Sequence, residues 1–162
     1  MRRACIAIVD ATRARIYTYE GDSDGASDRA LREEIDLVNP GRRGHDQFST
    51  TKPGVKRMAS GGGSTDDHRD AHLDQLERNF ARHIIDEVDR IARQRGLGRV
   101  ILVTTPKMLG ELRKVDAVLE HADLEVSYVE RDLAQLTSPQ IHDHLAELHL
   151  ISPRHRAALA SR

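Results

Sequence analysis

Residues 4–9 (ACIAIV) are apolar without interruption, which predicts a strand buried on both faces. Asp10-Ala11-Thr12 offers a turn, and 13–19 (RARIYTY) alternates as a hairpin partner would. Residues 21–28 are polar and contain glycine, so they read as a loop. Periodicity alone allows 31–38 (LREEIDLV) to be a strand or a short helix; Asn39-Pro40-Gly41 ends it sharply, which favours a third strand. From residue 39 to about 65 no apolar period exists, and structureless stretches longer than about 15 residues are uncommon inside compact domains unless functional or disordered.

Helical spacing then takes over. Leu73, Leu76, Phe80, Ile84, Val88 and Ile91 step by three and four along 66–95, and the stripe is expected to bury Leu76, Phe80, Ile84 and Val88. Ser64 with Asp67 resembles a capping box, Asp74/Arg78, Asp86/Arg90 and Asp89/Arg93 suggest exposed i,i+4 pairs, and Gly96 is the expected stop. Residues 99–104 read as a buried strand, and Thr105-Pro106 as the cap and first residue of a helix through Leu109 and Leu112. A strand over 124–129 and a helix from Ser138-Pro139 carrying Ile141, Leu145 and Leu148 follow; Ser152-Pro153 marks the start of a last short helix. The order β-β-β-α-β-α-β-α predicts an α/β fold whose first three strands are antiparallel and whose last two join in parallel, with helices covering the sheet. One domain over 1–150 is expected, with a polar C-terminal extension over 151–162.

Composition narrows the function classes. The chain has no Trp and only five rings, Phe48, Phe80, Tyr17, Tyr19 and Tyr128, so the core must be aliphatic and base-stacking RNA readers are disfavoured. Net charge is −1, so an anionic partner must be met by a local patch. The segment 39–65 supplies one: Arg42, Arg43, Lys52, Lys56 and Arg57 face a single acid, Asp46. Gly61-Gly62-Gly63-Ser64 then lead into a helix N-terminus, whose free N–H groups favour anions. No Gly-Lys-Ser/Thr follows the glycines, so this is not a P-loop. Cys5 is the single cysteine, which excludes an intramolecular disulfide and fits a reducing compartment. No apolar run approaches the roughly 20 residues of a membrane span, and the run after Arg2-Arg3 is too short for a secretory signal. A cytosolic location is the expectation.

Four stretches together resemble the bacterial host attachment protein family: IAIVDATRARIYTYE, SGGGSTDDHRDAHLDQLERNFARHI, RVILVTTPKMLGELRK and VERDLAQLTSPQIHDHL. They span roughly residues 4–148 in order, and the third is the most specific. That family is in turn similar to the middle domain of archaeo-eukaryotic peptide-release factors, which implies an RNase H-like fold. In those factors a Gly-Gly-Gln loop before a long helix reaches the peptidyl-transferase centre; the matching residues here are Gly61, Gly62, Gly63 and Ser64. Gly63 stands at the Gln position and has no side chain to orient a water. The resemblance therefore implies a translation-associated module, without catalytic residues, metal or cofactor, that binds a ribosome or tRNA through 39–65. The family name suggests an alternative role in host attachment or surface interaction, and the fold suggests a metal-dependent nuclease or other hydrolase.

Other constellations read more plainly. His68 and His72 share a helical face, which is half of a metal site; His45, His142 and His144 are conceivable third ligands, yet two ligands define no site and a solvated first turn is the simpler reading. Asp10 could serve a nuclease with Glu33, Glu34 or Asp67, but a turn-forming role suffices. Cys5 reads as a core residue. Thr104-Thr105-Pro106-Lys107 marks either a crevice or a simple helix cap.

Overall fold

A computed structural model describes residues 3–21, 31–41, 65–121 and 123–154, the side chains of 65–67 excepted. Strands β1 (Ala4–Val9) and β2 (Arg13–Tyr19) form the expected hairpin, in register from Ala4↔Tyr19 to Val9↔Ala14. β3 (Leu31–Val38) pairs antiparallel with β2, with a register break between Ile16 and Tyr17. β4 (Arg99–Thr104) lies parallel to β1, and β5 (Glu125–Glu130) lies parallel to β4. The sheet order is β3-β2-β1-β4-β5, a mixed α/β architecture consistent with an RNase H-like fold. β5 begins one residue later than the pattern suggests.

The uninterrupted apolar run of β1 has its cause in this topology. As the central strand, β1 sends Cys5, Ala7 and Val9 into one core and Ala4, Ile6 and Ile8 into the other. Helices α1 (Thr65–Arg95) and α2 (Pro106–Val115) cover the first face, where Phe80, Ile84, Val88, Met108 and Leu112 pack on the sheet. Leu76, expected in that stripe, is only half-buried. Helix α3 (Ser138–Glu147) covers the second face with Leu133, Ala134, Ile141 and Leu145.

The helix boundaries follow their local chemistry. Gly96 takes φ 61°, and the amides of Gly96 and Leu97 reach back to the carbonyls of Arg93 (3.2 Å) and Ala92 (2.8 Å), a left-handed stop that a side chain would strain. Thr137 and Gln140 form a reciprocal capping box at the start of α3. The proposed Ser64/Asp67 cap lies outside the described residues. After Ser152-Pro153 the described chain, through Arg154, is not helical. Packing nevertheless continues past residue 150: Ile151 is 1% exposed, and the Ser152 amide donates to the Tyr19 hydroxyl at 3.1 Å.

Candidate interaction site

All five strands bring one end to a common edge of the sheet, where β1, β3, β4 and β5 finish and β2 begins. The hairpin turn is pinned there by Asp10, whose Oδ1 accepts from the Thr12 amide (2.8 Å), the Thr12 hydroxyl (2.9 Å) and the Arg13 amide (2.7 Å). Asn39 closes the neighbouring strand, bonding the Ala11 carbonyl through Nδ2 at 3.1 Å and the Gly41 amide through Oδ1 at 3.2 Å. Gly41 sits directly against Leu76 of α1; a Cβ built on it would lie 2.5 Å from the Leu76 side chain.

α1 overhangs this edge. Its 31 residues extend about 46 Å, whereas the six-residue strands beneath it span about 20 Å. Continuous burial starts only at Glu77 and Phe80, so the turn carrying His68, Arg69, Asp70 and His72 is exposed. Gly41 and Thr65, the described residues on either side of 42–64, both lie on this side of the molecule.

A ladder of charges ties the overhang to α2. Lys107 Nζ reaches Glu77 Oε2 at 3.1 Å and Asp74 Oδ1 at 3.8 Å; Glu77 is fully buried, and a buried carboxylate is tolerable only with such a partner. Arg78 contacts Glu111 at 3.4 Å, and Lys114 contacts the same carboxylate at 2.8 Å. Burial pushes the Glu111 carboxyl up, but Lys114 and Arg78 outweigh it and hold it below the usual range. Two of the three helical pairs expected from the sequence are thus replaced. Arg78 and Asp74 turn to α2, Arg90 takes Glu87 (2.6 Å) instead of Asp86, and only Asp89/Arg93 forms as expected, at 2.9 Å.

The other candidate residues separate rather than converge. Asp10 is held in its turn. Glu33 pairs with Arg15 (3.1 Å), and Glu34 takes the Thr18 hydroxyl (2.8 Å) and Arg95 (3.0 Å), both on the outer strand. The Asp67 side chain lies outside the described residues. His68 and His72 are exposed, whereas His142 is buried on α3 and bonds the Ser152 carbonyl at 2.9 Å. Among the described residues no group of three His, Cys, Asp or Glu could hold a metal. Cys5 is buried, and that burial pushes its thiol up to about 12. Thr105 caps α2 by position without a side-chain hydrogen bond. Arg42, Arg43, Lys52, Lys56, Arg57, Gly61, Gly62, Gly63 and Ser64 all lie outside the described residues.

A family described as "protein required for attachment to host cells" matches residues 5–145, from β1 through α3. The chain belongs to this family. Its match takes in the hairpin, the charge ladder and both attachments of the 42–64 segment. No curated protein matches the chain. No described helix is long and apolar enough to cross a membrane.

Sequence reasoning missed the inter-element partners of this family member. Arg15, Glu77 and His142 are each buried through contacts with residues distant in sequence or in another element. Their local sequence carried little signal: Arg15 stands between the apolar Ala14 and Ile16 on β2, and neither Glu77 nor His142 belongs to the apolar stripe of its helix.

Proposed function

We propose that the chain serves attachment to host cells, as a binding domain rather than through chemistry at the sheet. The family match over 5–145 carries this reading. The engaged state of Asp10, Glu33 and Glu34 supports it, because each carboxylate already serves a turn, a strand pair or a hydroxyl. The test is adherence. A bacterial strain lacking the chain should bind host cells less, and the wild-type gene should restore binding; unchanged adherence refutes the reading.

A second reading rests on the charge of one segment. Arg42, Arg43, Lys52, Lys56 and Arg57 against Asp46 suit the phosphates of a tRNA or ribosomal RNA, and Gly61-Gly62-Gly63-Ser64 lead into α1 as in a release-factor middle domain. This reading places the chain in the cytosol with the ribosome. Gly63 cannot orient a water, so the domain would bind without releasing peptide. Each cation withdrawn from a phosphate should lower the salt slope of log K by about 0.9 on a duplex and about 0.7 on a single strand. Replacing Arg42, Arg43, Lys56 and Arg57 by Ala should therefore weaken ribosome co-sedimentation and flatten its salt dependence. An unchanged isotherm refutes this second reading and leaves the adherence test untouched.

A further inference from the structure

The two outer strands end the sheet differently. β3 carries Arg32, Glu33, Glu34 and Asp36, and its pairing with β2 is broken by a register shift, devices that discourage strand addition. β5 keeps unbroken register with β4 from Arg99↔Glu125 to Thr104↔Glu130, and its middle residues Val126-Ser127-Tyr128-Val129 carry no charge. The Glu125 amide donates to Gly98 at 2.9 Å and the Arg131 amide to Thr104 at 3.0 Å. The N–H and C=O of one strand residue point to the same side, and the side alternates along the chain. Odd-numbered residues therefore face β4, and Val126, Tyr128 and Glu130 turn their backbone groups outward. Among the described residues no strand pairs with that side.

We propose that β5 pairs antiparallel with β5 of a second copy of this chain, about a two-fold axis at Tyr128, joining the two sheets into one. Backbone parity restricts the register, because outward groups must meet outward groups. An axis at Tyr128 sets Val126 opposite Glu130 and Tyr128 opposite itself, and it brings Glu125 opposite Arg131 of the second copy. An axis at Ser127 or Val129 also satisfies parity, but the first sets Arg131 opposite Asp123, whose φ of 72° takes the backbone out of the extended form a ladder needs, and the second sets no opposite charges face to face. Neither Glu125 nor Arg131 has an ion-pair partner among the described residues; Arg131 Nη1 instead bonds the outward Glu130 carbonyl of its own chain at 2.8 Å. Pairing exchanges that contact for the Glu125 carboxylate and frees the carbonyl for the new ladder. Val126, Ser127, Tyr128 and Val129, half-exposed in the single chain, become covered. Closed two-fold pairing consumes the free edge in each copy, so assembly stops at two.

Sedimentation of the full chain at micromolar concentration decides the matter, with circular dichroism confirming that each variant is folded. The wild type should sediment as a dimer. Glu125→Arg, which creates two like-charged pairs per dimer, should weaken it about tenfold, and Glu125→Arg with Arg131→Glu should restore it. Val126→Pro removes an outward N–H without touching the β4 ladder and should also weaken the dimer. A monomeric wild type overturns the proposal. So does a dimer indifferent to Glu125→Arg and Val126→Pro, or one that the double charge reversal fails to recover.

Discussion

Arg15 offers the most exacting test of the packing. It lies on β2, 8% exposed, and its guanidinium joins three elements: Nη1 donates to the Leu136 carbonyl at 2.6 Å, and Nη2 donates to Ser138 Oγ (3.2 Å) and Glu33 Oε2 (3.1 Å). It also lies 5.4 Å over the Tyr17 ring. The bond to Leu136 is charge-assisted and worth about 1.5–3 kcal/mol. The Glu33 pair is partly solvated and adds at most about 1 kcal/mol, and the ring stacking adds about 0.5–1 kcal/mol. Such contributions overlap, so Arg15→Ala should destabilise the chain by about 3 kcal/mol, measured as a shift of the urea midpoint at constant slope. Arg15→Met keeps the apolar stem and should lose less, about 2 kcal/mol, because the Leu136 carbonyl still loses its donor. Amide exchange should accelerate first between Leu133 and Ile141, the segment that Arg15 holds to the sheet. A loss below about 0.5 kcal/mol for Arg15→Ala, within the range of ordinary surface changes, would refute the clamp.

Three further outcomes are expected. Cys5, its thiol pushed up to about 12 by burial, should resist alkylation at pH 8 in the native protein and react fully in denaturant. Gly41→Ala should cost about 1 kcal/mol by forcing the half-buried Leu76 aside, and the cost should vanish in a Leu76→Ala background, as a double-mutant cycle will show. His142 is buried, and burial, with Arg154 adding to it, lowers its proton affinity below the ordinary 6.5 despite the Ser152 bond. Well above pH 6.5 it is neutral in both folded and unfolded chains and contributes no pH dependence. As pH falls below 6.5 the unfolded chain binds the proton first and stability declines, so His142→Gln should flatten the stability profile between pH 7 and 5 relative to wild type.

Much of the fold was legible because each element announces itself through residues close in sequence. The apolar run of β1 could only be a strand covered twice, and Gly96 and Pro106 fixed where α1 stopped and α2 began. Charge partners were another matter. A helical wheel pairs Asp74 with Arg78, yet in the folded chain each finds a better-placed partner on α2, and nothing in the local spacing could rank Lys107 and Glu111 above them. The same holds for Arg15, whose carbonyl and hydroxyl partners lie more than a hundred residues away.

The candidate binding residues pose the opposite case. Arg42, Arg43, Lys52, Lys56 and Arg57 stand out by composition alone, because five cations against one acid is a departure in a chain of net charge −1. Their framework is what the sequence could not supply. The strand ends, the Asp10 turn and the overhanging α1 place both attachments of that segment on one side of the sheet, while β5 opens a different side. Dimerisation through β5 would therefore leave Gly41 and Thr65, the described residues that flank that segment, away from the paired edge, and a dimer would present two copies of the chain to one partner. Linked sites of this kind gain affinity by raising the effective concentration of the second site. Glu125→Arg should accordingly weaken binding to a multivalent surface, such as a host cell, more than binding to a short isolated ligand. Equal weakening on both would separate the β5 pairing from attachment.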